Sequence, residues 1–541
     1  MAVAFSSTLA IAALNAHAPL DIQPGVPGRM LAAYVPLAAA LAAAFAVRWP
    51  WPGFLAILFL TPCWDAAQVS WQVGTIQVIL QTVFVVWLAA GYLLRDRGPA
   101  LDTERRARQP IERPATGGSR AVDFASRHLG PLATAGVLVL ASLSTLASPN
   151  LEQSATVLLH GIFEPVAMGL LLLAFRPNRR QLMLLLAVLG LSVVLGGLVN
   201  VVQSVPAYGT LGRLQTYRLL FSRLTYFNVG LFGEMLAMAA PLLLGAIAFR
   251  RQLGLGRYWV PLVIAAMAIG GVSLFLTFSK SAYLATAGGV LVFVLLLVRT
   301  RRARIRIAAG AVLLSALIVP WPALLLQVSP TLSNMYRDAM VGMMGPTRYN
   351  SWDPSSLAGH GSLVERASAS GAAVAMAADH PLLGVGLDQF GSQWNGPYDS
   401  AHTFWPEVAA ELGIPALVLV VLIFASALLA LWRIYRAPPD PATRLLAVTL
   451  LASLAAWIVV ATAFAGDMYR PWRNMSSDFV MMAVLTAAAF ALAGAVRARQ
   501  PKPAEAAETE APQAAAPRAA AGPEAAAGPE AAAGPEAGRE P

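Results

Sequence analysis

The residues of this chain best suited to chemistry lie within ten positions of one another, in the segment His402-Thr403-Phe404-Trp405-Pro406-Glu407-Val408-Ala409-Ala410-Glu411-Leu412-Gly413-Ile414-Pro415. The imidazole of His402 can exchange protons near neutral pH, which suits a general base acting on a hydroxyl. It also reads as an interfacial histidine hydrogen-bonded to loop backbone. Glu407 and Glu411 stand four apart and so share one helical face. Glu411 lies ~13 Å of helical rise beyond His402. A carboxylate that deep needs a partner, and a salt bridge, a capping role and a catalytic or substrate contact are all open to it.

Cations are a second source of chemistry. Arg213, Arg218 and Arg223 cluster ahead of one apolar segment, Lys280 sits at a tight turn between two others, and Arg366 lies in the longest polar stretch. Converging at one membrane boundary, such groups suit a pyrophosphate, with arginine offering bidentate geometry and lysine a point charge. Snorkelling anchors would use the same residues. Lys280 stands out because the chain contains only two lysines, Lys280 and Lys502. Tyr349, Trp352, Trp394, Tyr398 and Trp405 read either as platforms for sugar rings or as an interfacial belt. His360 and His380 share the long stretch with His402, but neither has a fixed setting beside a helix start.

Other chemistries find no support. One cysteine, Cys63, can form neither an intramolecular disulfide nor a cysteine-based zinc site. No metal-spaced carboxylate pair, zinc helix or nucleophile elbow occurs. Gly384-Val385-Gly386 is a turn, without the strand-to-helix setting of a nucleotide loop.

The elements that must position these residues are membrane helices. The 541 residues are 57% hydrophobic and 12% charged, with mean hydropathy +0.62. Apolar segments of spanning length fall near 30–47, 75–94, 129–147, 156–175, 181–202, 228–249, 258–278, 281–298, 307–326, 403–432, 443–464 and 476–496, with a shorter piece at 51–64. The expected fold is therefore an all-α polytopic membrane protein of about twelve transmembrane helices with one large outer loop, 326–402. Five alternate loops carry 22 basic residues in 66 positions, against 9 in 124 for the others, so the basic set faces the cytoplasm. The net charge of +10 reports this orientation, not a nucleic-acid partner. Residues 1–496 form the membrane domain. The Ala/Pro/Glu-rich tail, 497–541, ends in three copies of Ala-Ala-Ala-Gly-Pro-Glu and is expected to be disordered and cytoplasmic. The first twenty residues lack the basic start of a secretory signal.

From roughly 210 to 430 the chain resembles the O-antigen ligase and polymerase superfamily of bacterial polysaccharide assembly. Ala378-Asp379-His380-Pro381-Leu382-Leu383-Gly384-Val385-Gly386-Leu387-Asp388-Gln389-Phe390 is similar to the family's loop ahead of its histidine. His402 to Pro415 resembles its His-Asn return to the membrane followed by Glu-x-Gly-x-Pro-Gly, with Thr403 for Asn and Ala416 for the last Gly. Arg223 to Asn228 is similar to its Arg followed by an Asn-Pro-Asn-like turn, without the proline. Ser279-Lys280-Ser281 is similar to its Ser-Arg-Gly turn. The resemblance implies an inner-membrane glycosyltransferase that needs neither metal nor cofactor. Its donor would be a glycan on undecaprenyl pyrophosphate, and its acceptor a hydroxyl of lipid A-core or a related glycan on the periplasmic side. His402 would be the base and Arg223, Lys280 and Arg366 the pyrophosphate clamp, with Glu407 and Glu411 in the substrate site and inversion at the anomeric carbon. A polymerase shares this donor chemistry. A flippase or transporter would instead place basic groups along a path through the midplane, usually within internal repeats.

Overall fold

The computed structural model describes residues 50–67, 70–73, 76–79, 117–211, 229–309 except 278, 299, 304 and 308, 362–394, 400–462 and 477–497. Side chains are described for fewer of these, and those of Lys280 and Arg366 are not among them. The chain divides into two units, Met1–Val496 and Arg497–Pro541. The fold below is that of the first.

Helix α1 (Pro50–Ala67) begins at a proline, tolerated because the first turn has no intrahelical acceptor for its N–H groups. It contains the short apolar piece expected at 51–64. Strands β1 (Ser70–Val73) and β2 (Ile76–Ile79) then pair antiparallel, with Trp71 opposite Val78, Gln72 opposite Gln77 and Val73 opposite Ile76. This ribbon departs from the all-α expectation and occupies the start of the span expected at 75–94. The reason is periodicity. Apolar Trp71, Val73, Ile76 and Val78 alternate with Gln72 and Gln77 at the two-residue period of a strand.

The remaining elements are helices: α2 (Gly117–Leu146), α3 (Leu151–Val157), a π-helical turn (Leu158–Phe163), α4 (Glu164–Phe175), α5 (Arg179–Leu211), α6 (Val229–Ala248), α7 (Arg250–Leu253), α8 (Trp259–Thr277), α9 (Lys280–Leu297), α10 (Ser362–Asp379), α11 (Phe390–Gln393), α12 (Phe404–Leu412), α13 (Ile414–Arg436), α14 (Pro441–Thr462) and α15 (Ser477–Arg497). Among the described residues six helical segments are long and apolar enough to cross a membrane: 128–146, 151–175, 179–198, 414–436, 441–462 and 479–497. Shorter apolar helices fill the segments expected near 228–249, 258–278 and 281–298. The span expected at 30–47 and nearly all of that at 307–326 lie outside the described residues, as do most of loop 326–402 and the tail after Arg497.

One expected span is two helices. The apolar run 403–432 breaks at Gly413, where φ is +87°, and α13 restarts with Pro415 in its first turn. A proline there contributes no N–H and disfavours helical backbone in the residue before it. Glu411 consequently closes the short helix α12, and the crossing begins only at Ile414.

The core centres on α14, which packs against α6, α9 and α13. Leu446, Leu450, Leu454, Trp457 and Ala461 recur at helical spacing and are fully buried. A helix apolar on all sides belongs inside a bundle. Helix α13 instead leaves Ile414, Val418, Val421, Leu429 and Trp432 exposed, an apolar face suited to lipid.

The bundle has two chemically distinct ends. At one, Arg179 forms an ion pair with Asp440, Arg180 donates to the Leu253 carbonyl and Arg444 donates to the Leu296 carbonyl. Arginine-bearing loops that the charge count placed on one side therefore converge. Asp440 also caps α14, accepting from the Thr443 amide and hydroxyl, each at 2.9 Å. Burial raises its carboxyl pKa, but the Thr443 hydrogen bonds and Arg179 together outweigh that and hold it below the ordinary 3.8. A depressed carboxyl pKa stabilises the fold above the unfolded-state value, and the contribution is lost as pH falls through the folded one. Asp440→Ala should cost about 1 kcal/mol near neutrality. In thermal unfolding of detergent-solubilised protein, the gap from wild type should shrink below pH 3.8.

Candidate functional site

The opposite end holds His402, Glu407 and Glu411. Segment 380–390 folds back onto α12 and the start of α13. The Val385 amide donates to the Ala410 carbonyl and the Ile414 amide to the Pro381 carbonyl, both at 2.8 Å. Two glycines permit the approach. A Cβ on Gly384 would lie 2.3 Å from the Glu411 carbonyl carbon, and one on Gly413 the same distance from the Leu382 oxygen. Both residues have positive φ, a region glycine enters without steric cost.

Glu411 finds its partner in this clasp. Its carboxylate oxygens accept from the amides of Asp388 at 3.0 Å and Phe390 at 3.2 Å, and its own carbonyl accepts from Ser144 Oγ at 2.7 Å. Of the readings open from sequence, the geometry is that of a cap on loop backbone. The α2–α3 corner ties the same loop from outside, through Ser154 Oγ to the Leu387 carbonyl and Gln153 Nε2 to the Asp388 carboxylate.

His402 stands just before α12, buried to 1% exposure and held at φ +53°. Left-handed backbone in a residue with a side chain is uncommon, and such strain gathers at functional sites. Its neighbours fix it from both sides. Ser370 on α10 donates to the Ala401 carbonyl at 3.0 Å and shares a 2.8 Å hydrogen bond with Thr403 Oγ1. Phe404 packs edge-on to Trp457 at 5.1 Å and against Phe479 at 5.7 Å. Trp405 contacts Trp457 and Phe424 and donates to Thr462 Oγ1 at 3.0 Å. Trp405 therefore belongs to an aromatic cluster anchoring α12 to α13 and α14. Glu407 is buried on the same helix.

The backbone brings two of the three clamp candidates to this end. Lys280 is the first residue of α9, after the N-cap Ser279, whose side chain accepts from the Ala282 amide. Helix α9 runs from there toward the arginine-rich end. A cation at a helix N-terminus opposes the macrodipole, so a lysine there suits a site that also holds an anion. Arg366 lies on α10 one turn before Ser370, ~6 Å of rise from the residue bonded to both neighbours of His402. Arg223 lies outside the described residues, as do Tyr349, Trp352, His360 and Tyr398, together with Arg213 and Arg218. His380 is exposed in the turn after α10.

Residues 265–421, from within α8 to within α13, match the family model described as O-antigen ligase. The chain carries an O-antigen ligase-like domain. No match is found among curated proteins. The O-antigen ligase match encloses Lys280, Arg366, His402, Glu407 and Glu411, and leaves Arg223 outside.

Several participants escape a reading of sequence. Gln153, Ser154 and Asp388 form the outer tether, yet nothing in their types marks them. Two buried carboxylates were visible in principle as charges inside apolar runs. Glu234 is buried at 1% exposure, next to Gly233, where a Cβ would lie 3.4 Å from that of Ser279. Glu164 meets His160 Nδ1 at 2.9 Å on the π-helical turn.

Proposed function

We propose that this chain transfers a glycan from undecaprenyl pyrophosphate to an acceptor hydroxyl, on lipid A-core or a related glycan, at the periplasmic face of the bacterial inner membrane. The reading rests on one observation: a single O-antigen ligase-like domain carries Lys280, Arg366 and His402, and the backbone gathers all three positions at the end of the bundle opposite the arginine-rich loops. Retention of basic loops in the cytoplasm puts the His402 end outside and the tail inside.

In this reaction the acceptor oxygen attacks the anomeric carbon as the bond to the pyrophosphate oxygen breaks. His402 takes the acceptor proton. Arg223, Lys280 and Arg366 stabilise the charge that develops on the leaving pyrophosphate, which is the type of contact most effective when fixed in advance. Glu407 and Glu411 act from α12, with Glu411 holding the loop that walls the site. Displacement in one step inverts the anomeric centre, and no metal or cofactor takes part. The placement of Lys280 and Arg366 at the His402 end argues for chemistry there over transport along a midplane path.

The test uses purified full-length protein in lipid nanodiscs, with a synthetic polyprenyl-pyrophosphate glycan, a lipid A-core acceptor and a chelator present. Arg223→Ala, Lys280→Ala and Arg366→Ala should each reduce transfer by about 10²-fold or more at normal protein level. Lys280→Arg should stay active and Lys280→Glu should not. Wild-type transfer by all three alanine variants would remove the clamp. Elongated lipid-linked glycan as the product, with the core acceptor ignored, would make the chain a polymerase.

A further inference from the structure

We infer that the hydroxyls of Ser370 and Thr403 form a latch that positions His402, joining the arginine-bearing helix α10 to the histidine-bearing start of α12. The inference rests on the general-base role proposed for His402 and adds what holds that base in place.

Three observations carry it. Thr403 is the N-cap of α12, yet its side chain makes no capping hydrogen bond. Threonine at that position ordinarily accepts from an amide of the first turn. Here the hydroxyl turns to Ser370 Oγ at 2.8 Å and to the Ala401 carbonyl at 3.4 Å. Second, the Ala401 carbonyl also receives Ser370 Oγ at 3.0 Å, so both peptide neighbours of His402 are fixed by one serine from another helix. Third, the residue between them has φ +53°, and strained backbone persists where its surroundings over-determine it. Ala401, His402 and Thr403 are all buried, and Ser370 is half-buried.

The consequence is geometric. With α10 tied to both sides of His402, the backbone at Arg366, one turn along α10, is held at a set separation from the imidazole-bearing residue. Neither hydroxyl touches the reacting atoms. Each acts by orienting His402.

The experiment compares wild type with Ser370→Ala, Thr403→Val and the double variant, with Thr403→Ser as the conservative control that keeps the hydroxyl. Two readouts are taken on full-length protein in nanodiscs. The first is the rate at which diethyl pyrocarbonate modifies His402, followed by peptide mass spectrometry, which needs no substrate. Modification should be slow in wild type and Thr403→Ser. It should be several-fold faster in the other three variants, because the imidazole is no longer held in its buried setting. The second is transfer, where kcat should fall by about 10- to 100-fold, as for a small misplacement of a catalytic group. KM for the donor should hold, and the double variant should be little worse than either single one, as expected for two members of one contact. Unchanged modification of His402 in both single variants overturns the latch whatever the activity does. Faster modification with undiminished kcat leaves the latch standing and overturns the general-base role instead.

Discussion

His402→Ala should lower glycan transfer by ~10²- to 10⁴-fold, the contribution of a positioned general base, while lipid-linked donor accumulates and still binds. An acceptor hydroxyl has a pKa far above neutrality, so it attacks usefully only if its proton leaves as the new bond forms. Among the described histidines, His402 alone combines burial with a fixed setting at a helix start at this end of the bundle. His160 is engaged with Glu164 within a span, and His380 is exposed in a turn. His380→Ala and His360→Ala should therefore change transfer little. A His402→Ala protein that turns over donor at the wild-type rate from about pH 6 to 8, across the range where imidazole titrates, would leave the cations as the main source of catalysis.

The second large effect is on the fold around the site. Glu411→Ala strips the acceptors from two backbone amides, those of Asp388 and Phe390. A buried donor left without a partner costs about 1–3 kcal/mol, so the pair represents a large share of a marginal stability. Gly384→Ala should be comparably severe, because the new methyl would meet main-chain atoms of Glu411 at 2.3 and 2.4 Å and neither backbone can yield alone. Both variants should lower the thermal unfolding midpoint in detergent by several degrees and speed hydrogen exchange at the Asp388 amide. Glu411→Gln keeps one acceptor oxygen and should fall between them and wild type. Slow exchange at Asp388 in Glu411→Ala would show that the loop is held by other contacts and that the carboxylate is free for another role.

Some of this was legible in the sequence and some could not be. Helix α10, Ser362–Asp379, has a legible end, because Asp379-His380-Pro381 is a strong local stop. The break after Leu412 was written as Gly413-Ile414-Pro415, but an unbroken apolar run hides a bend from hydropathy. The β1–β2 ribbon escaped for a related reason, since a hydropathy average discards the two-residue alternation that marks a strand. The partner of Glu411 was unreadable in principle. Backbone amides donate to it, and every residue except proline has one. The candidate residues His402 and Lys280 were accessible because rare residue types in a chain this apolar draw attention by their scarcity.

The π-helical turn at Leu158–Phe163 changes the phase of the crossing that contains it. A π turn holds one more residue than the α turn it replaces, and one residue advances the helical angle by about 100°. Segments Leu151–Val157 and Glu164–Phe175 thus keep two separate registers within one span, and a periodicity measured across both averages them away. A substitution scan along 151–175 should trace two stripes of sensitive positions offset by about 100°, with the change within Leu158–Phe163. A related chain lacking the extra residue would align only with a one-residue gap there, and its counterpart of Glu164 would look toward a different neighbour.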